Sequence, residues 1–291
     1  MGWSRRGVLL GCCTLAGCAP GPARTDAPMV SPVASAPSTP ASTAPSPTPS
    51  VPPSPLPSAP PTRDAIVAEF SGRSPRVWGT DVPGVVSRVG DQHVYLTFDA
   101  CGGPAGSAVD ADLIATLRRH RVAATLFLNR RWITANSTLA SELAHDPLFR
   151  VESHGARHVP LSVSGRSVYG ITGTASAGEV FDELTAADEW FLSTLHRRPS
   201  WFRPGTAHVD DVAVAIAGRL GYRLAGFAVN GDAGATASRA QVAAAFGSVR
   251  AGAIVLAHMN QPKGQTAEGV ADALPRLLDR GVTFGTLPNP G

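Results

Sequence analysis

From residue 94 onward, apolar and polar positions alternate in blocks. Val94-Tyr95-Leu96-Thr97-Phe98 is an unbroken run of β-favouring residues, the pattern of a strand buried on both faces. Residues 109–120 then carry Leu113, Ile114 and Leu117 at helical spacing, and 123–128 read as a second buried strand. The same alternation predicts helices over 139–144, 177–195, 210–220, 239–248 and 267–279. It predicts strands over 149–153, 201–203, 222–228, 252–257 and 282–286. Strands separated by helices imply a parallel sheet with helices outside, and about seven such units predict a closed or nearly closed (β/α) barrel. Residues 64–92 scatter Phe70, Val77, Trp78, Val82, Val85 and Val86 among Gly and Pro, and read as an irregular lead-in.

The first 63 residues follow a different rule. Ser4-Arg5-Arg6 precedes a short apolar run that closes on Leu15-Ala16-Gly17-Cys18, the layout of a secretory signal too short to span a membrane. The Arg pair resembles a twin-arginine export signal. Leu-Ala-Gly-Cys resembles a bacterial lipobox, so residues 1–18 are expected to be a signal peptide with Cys18 as the lipidated residue. Residues 19–63 are dominated by Pro, Ser, Ala and Thr, and 19–62 hold 15 of the 26 prolines in the chain. Such a stretch cannot build a core and is expected to be a disordered, extended tether. Residues 64–291 are long enough for one domain with a full core. Arg5 and Arg6 supply two units of the formal charge of +3, and no basic stripe follows, so no nucleic-acid partner is expected. Of four cysteines only Cys101 lies in this domain, which excludes an internal disulfide.

Candidate chemistry sits where the predicted strands end, the ligand-binding edge of an α/β fold. Asp99 closes the first strand, and Gly102 and Gly103 follow for a sharp turn. The third strand runs into Glu152-Ser153-His154-Gly155-Ala156-Arg157-His158, with two imidazoles at a spacing suited to one metal ion. Glu152 shares an extended face with His154 and is either a third ligand or an acidic rim residue. Further on, Arg203 precedes Pro204-Gly205, and Asp232 and His258 each follow a strand. The loop 164–174 is Gly-rich and carries Tyr169; it reads either as a substrate-contacting lid or as a plain surface loop.

In order, these motifs resemble the polysaccharide deacetylase family, the NodB-homology domain, over about residues 93–287. The resemblance implies a distorted (β/α) barrel and metal-assisted removal of acetyl groups from N-acetylated sugars. Thr97-Phe98-Asp99 matches the motif that supplies the general base. His154 and His158 match the metal-binding pair, and Phe202-Arg203-Pro204 the motif whose Arg braces the base. Asp232 stands where the family tunes its catalytic His. Leu256-Ala257-His258 matches the motif whose Leu lines the acetyl pocket and whose His is the general acid. Leu256, Pro204 and Tyr169 are accordingly expected on the substrate side, and a divalent ion, zinc by preference, as cofactor. The family's first motif carries a second Asp as metal ligand, where this chain has Ala100; Ala233 likewise replaces an aromatic residue after Asp232. Glu152 is the leading candidate for the missing ligand, Cys101 the second and Asp99 the third. The expected function is an exported, Cys18-anchored deacetylase acting on peptidoglycan or an exopolysaccharide. The alternative is a glycan-binding envelope lipoprotein with a degraded metal site.

Overall fold

A computed structural model describes residues 60–289; the predicted signal, Cys18 and nearly all of the tether lie outside them. Eight parallel strands form one sheet. Across it the order is Val229–Asn230, Ile254–His258, Tyr95–Ala100, Ala124–Leu128, Phe149–Ser153, Trp201–Phe202, Arg223–Ala225 and Val85–Val86. The chain passes from Arg223–Ala225, near one edge, to Val229–Asn230, at the other, within residues 226–228. The two edges therefore lie close in space and the sheet is curled into an open barrel. Residues 87–89 span the gap, where Ser87 and Gly252 carbonyls accept the Ile254 and Val89 amides.

Strand alternation sorts the side chains into two layers. Leu96, Phe98 and Ala100 face the surrounding helices and join Leu113, Leu117, Trp132, Val270 and Leu274 in the main core. Tyr95, Phe127, Trp201, Ala225 and Ile254 fill the barrel interior together with Leu287 from the C-terminal segment. Helix Ala111–His120 illustrates the local logic. Asp110 caps it by accepting the Leu113 amide at 3.0 Å, basic residues occupy its last turn, and Leu113, Ile114 and Leu117 face the sheet.

Four expectations are corrected. The lead-in contains a helix, Arg63–Phe70, and two short strands, Trp78–Gly79 and Val85–Val86. The helix over 177–195 is two, Ala177–Thr185 and Asp188–Leu195, because the second turns to place Asp188 against Arg198 (2.8 Å) and the Tyr222 hydroxyl. The strand over 222–228 breaks at Gly226, which packs against Val85 and Ser87 where a Cβ would clash. The strand over 282–286 reduces to a single bridge between Val94 and Phe284. Beyond it the chain turns under the barrel, where Leu287 donates its amide to Thr125 Oγ1 (2.9 Å).

Candidate active site

The sheet register brings the strand ends to one level. His258 pairs with Asp99, and Asp99 with Phe127, so the Asp99 carboxylate and the His258 ring flank the same barrel mouth. Asp99 is buried and held by Arg203, whose Nη1 donates to Asp99 Oδ1 at 2.8 Å. Arg203 is itself fully buried. Its other donors reach the Ala225 and Gly226 carbonyls at 3.3 and 3.1 Å, and its guanidinium lies 4.4 Å from the Phe127 ring centre. Burial alone would raise the Asp99 carboxyl, but Arg203, with His154 and His258 nearby, holds it below the usual carboxylate range. Asp99 is therefore an ionised, oriented carboxylate.

His154 follows on the neighbouring strand, with its Nε2 3.7 Å from Asp99 Oδ2. Its Nδ1 lies 2.7 Å from the Arg203 carbonyl, which only accepts, so Nδ1 carries a proton and Nε2 faces the mouth. Burial opposes the charged imidazole, but Asp99 and Cys101 hold it above its ordinary value, so a metal taking the Nε2 lone pair would displace a proton. The His158 ring stands edge-on to His154, with centres 4.9 Å apart. The turn between them is fixed by Glu183, a buried carboxylate on helix Ala177–Thr185. It accepts the backbone amides of Ala156, Arg157 and His158 at 3.0 to 3.1 Å. Gly155 has φ +71°, and a Cβ there would sit 2.4 Å from Glu183 Oε1, so this turn requires glycine.

The third donor is Cys101. Alternation points Asp99 inward and Ala100 outward into the helix-side core, and it brings Cys101 back to the inner face just past the strand end. Cys101 Sγ lies 3.8 Å from His154 Nε2, and donor atoms of Cys101, His154 and His158 all fall within 4.8 Å of one another. Thiolate and imidazole are preferred zinc ligands. Bonds of ~2.3 and ~2.1 Å at a tetrahedral angle set two donor atoms ~3.6 Å apart, close to the 3.8 Å between Cys101 and His154, and the widest separation would close by about 1 Å around an ion. Burial opposes ionisation of the thiol, but the three surrounding histidines, His154, His158 and His258, hold it well below its ordinary value. The residues present thus fit a zinc ion.

Glu152, the expected third ligand, is not brought to this cluster. Its carboxylate accepts the Ser200 and Trp201 amides at 2.8 and 2.9 Å and pairs with Arg150 (2.6 Å) and Arg197 (3.2 Å). Two residues along a strand separate side chains by about 6.6 Å in level, so sharing a face with His154 did not bring Glu152 to the same depth. Glu152 secures the start of the neighbouring strand instead. Glu152→Gln is expected to lower stability by about 1–3 kcal/mol through weakened charge pairing, measured by urea unfolding, with zinc content unchanged. A loss of zinc at intact stability would return Glu152 to the ligand set.

His258 completes the mouth from the other side. Its Nδ1 lies 3.0 Å from Asp232 Oδ1, and its backbone amide donates to Asp232 Oδ2 at 2.7 Å. Thr266 Oγ1 donates to the same carboxylate at 3.0 Å. Burial disfavours the charged imidazole, but Asp232 outweighs it and His258 is held well above its ordinary value. A cleft of about 460 Å³ opens over these groups, lined by Asp99, His158, Leu256 and His258 at one end and by Thr80, Tyr169 and His208 at the other. Pro204 is buried beside the Arg203 turn and does not line it. The loop 164–174 is a hairpin, Ser167–Val168 paired antiparallel with Ile171–Thr172, and carries Tyr169 at its tip.

An open parallel (β/α) barrel thus carries at its strand ends a braced carboxylate, a braced imidazole and a cluster of metal-type donors. Residues 87–225 match the sequence model of the polysaccharide deacetylase family, a stretch that ends before Asp232 and His258. The protein YlxY of Bacillus subtilis (strain 168) is 23% identical over 176 residues, 60% of this chain and 50% of that protein. The chain thus spans about half the length of the curated relative it matches. Among solved structures, a CE4-family pseudoenzyme of Bacillus anthracis aligns at TM-score 0.55 and 22% identity, covering 68% of this chain and 64% of that one. PdaA of Bacillus subtilis, a family 4 carbohydrate esterase, aligns at TM-score 0.55 and 18% identity over 78% of this chain and 89% of its own. The peptidoglycan N-acetylglucosamine deacetylase Bc1960 aligns at TM-score 0.58 and 19% identity, over 70% and 90% of the two chains. The sequence match covers just under half of this chain, and these neighbours, all under 25% identical, share its open-barrel fold.

Proposed function

We propose that this domain removes acetyl groups from N-acetylated sugars of a cell-envelope glycan. The observation that carries the reading is the meeting, at one mouth, of an ionised base braced by a buried Arg and a charged imidazole braced by a buried carboxylate. Between them lies the cysteine-histidine cluster. Asp99 takes the proton of the attacking water, and Arg203 keeps it charged and aimed. His258, held protonated by Asp232, gives its proton to the departing amine nitrogen. Leu256, buried at the cleft wall, offers an apolar surface to the acetyl methyl. Cys101, His154 and His158 would hold a zinc ion, which when bound would supply Lewis acidity toward the acetyl carbonyl and toward a water at its open position. The predicted signal and lipobox support export and anchoring through Cys18, which places such a domain against envelope glycans.

A second reading is favoured by Ala100, which stands where the family's first motif carries a metal ligand, and by the pseudoenzyme among the similar structures. It is a glycan-binding domain without turnover. Acetate release from N-acetylated oligosaccharides, measured on zinc-loaded protein of known metal content, separates the two. Release dependent on zinc is expected; glycan binding without release from fully loaded protein makes the domain a binder.

A further inference from the structure

The end of the cleft away from Asp99 and His258 is built from three separate segments. Tyr169 sits at the hairpin tip with 80% of its surface exposed. It occupies a two-residue turn in which both residues are left-handed, Tyr169 at φ +52° and Gly170 at φ +74°. Asn or Gly suits the first of these positions, and a bulky aromatic there carries a conformational cost that no core contact offsets. Its ring is nonetheless oriented, standing edge-on to His208 with centres 5.6 Å apart. His208 is fixed in turn through Nδ1 to the Thr206 carbonyl at 2.7 Å and lies 5.8 Å from the Trp78 ring. Arg166 covers Trp78 from 5.3 Å. At the foot of this wall Thr206 holds a β-branched side chain at φ +72°, and its hydroxyl has no protein partner.

Strained backbone at Tyr169 and Thr206 and an exposed but oriented aromatic ring along one cleft wall describe a surface shaped for a ligand rather than for folding. No carboxylate lines this end, and Tyr169, Ile171, Thr206 and His208 share one continuous cleft with Asp99, His158, Leu256 and His258. A ligand held here reaches the reacting end without crossing a ridge. From this geometry we infer that Tyr169, oriented by His208, is a subsite for a neutral pyranose ring next to the acetylated sugar. The ring's C–H face stacks on the tyrosine. The inference rests on the deacetylase reading and adds which side chain of this domain holds the ring beside the one that is deacetylated.

The test compares a β-linked tetramer of N-acetylglucosamine with the single sugar, using the full protein and its Tyr169→Ala and Tyr169→Trp variants. The preference for the tetramer, as a ratio of kcat/KM values, is expected to fall about tenfold in Tyr169→Ala, the scale of one aromatic contact. The loss should lie in KM rather than kcat. Tyr169→Trp should keep the preference. An unchanged ratio in Tyr169→Ala, or a loss carried by kcat, overturns the subsite while leaving the deacetylase reading intact. Should wild type release no acetate, that reading falls, and calorimetric titration with the tetramer judges the subsite alone. About tenfold weaker binding in Tyr169→Ala supports it; equal binding by both proteins, or none by wild type, overturns it.

Discussion

Asp99→Asn is expected to lower the rate of acetate release by about 10²-fold or more while glycan binding is largely kept. The amide can still accept the Arg203 hydrogen bond, so the side chain stays in place, but it cannot take a proton from water. His258→Ala should fall by a similar factor, because it removes the only imidazole braced by Asp232. The double variant should lose much less than the product of the two, since base and acid serve one transition state. Arg203 is fully buried, and among the described residues its only side-chain hydrogen-bond partner is Asp99. Thermal unfolding must therefore be followed alongside the rates, to separate lost chemistry from lost fold. Turnover close to wild type in either single variant removes that residue from the catalytic pair.

The second large effect concerns Cys101. Cys101→Ser should weaken zinc binding by more than the ~10- to 100-fold that loss of a supporting contact costs, since it removes a ligand itself. Cobalt substituted into the wild type should show a near-ultraviolet sulfur-to-cobalt absorption that the serine variant lacks. Both readouts are independent of turnover. Unchanged zinc affinity in Cys101→Ser, or a cobalt protein without that absorption, would leave His154 and His158 as a two-residue site.

Much of this arrangement could be read from the chain because its groups sit where strands stop. Asp99, His154, Arg203 and His258 each close or follow a buried strand, Asp232 follows the edge strand Val229–Asn230, and His158 lies one turn beyond His154; a parallel sheet brings such ends together. What was missed has physical causes. Two-residue alternation fixes which face a side chain occupies but not its level, and so Glu152 was misplaced. The same alternation, carried one residue beyond Ala100, is the signal that ranks Cys101, the second candidate, above Glu152. Glu183 lies in a helix whose buried stripe is otherwise Ala177, Val180 and Leu184. A carboxylate interrupting an apolar stripe is legible as a buried acceptor, but the loop it holds is known only once the helix is docked. Helix Arg63–Phe70 escaped because its buried face is only Ile66 and Phe70, too few positions to set a period.

The interior beneath the site is packed rather than hollow. Tyr95, Phe127, Trp201, Ala225 and Ile254 close around Leu287, and the Trp201 indole donates to the Pro288 carbonyl at 2.8 Å, pinning the terminal segment across the bottom. The barrel is therefore a cup and not a pipe. Whatever occupies the cleft arrives and departs by one rim, so a polymer cannot be drawn through the molecule from end to end. It can only be laid across the opening, and an interior unit of a long strand meets Asp99 as directly as a terminal one.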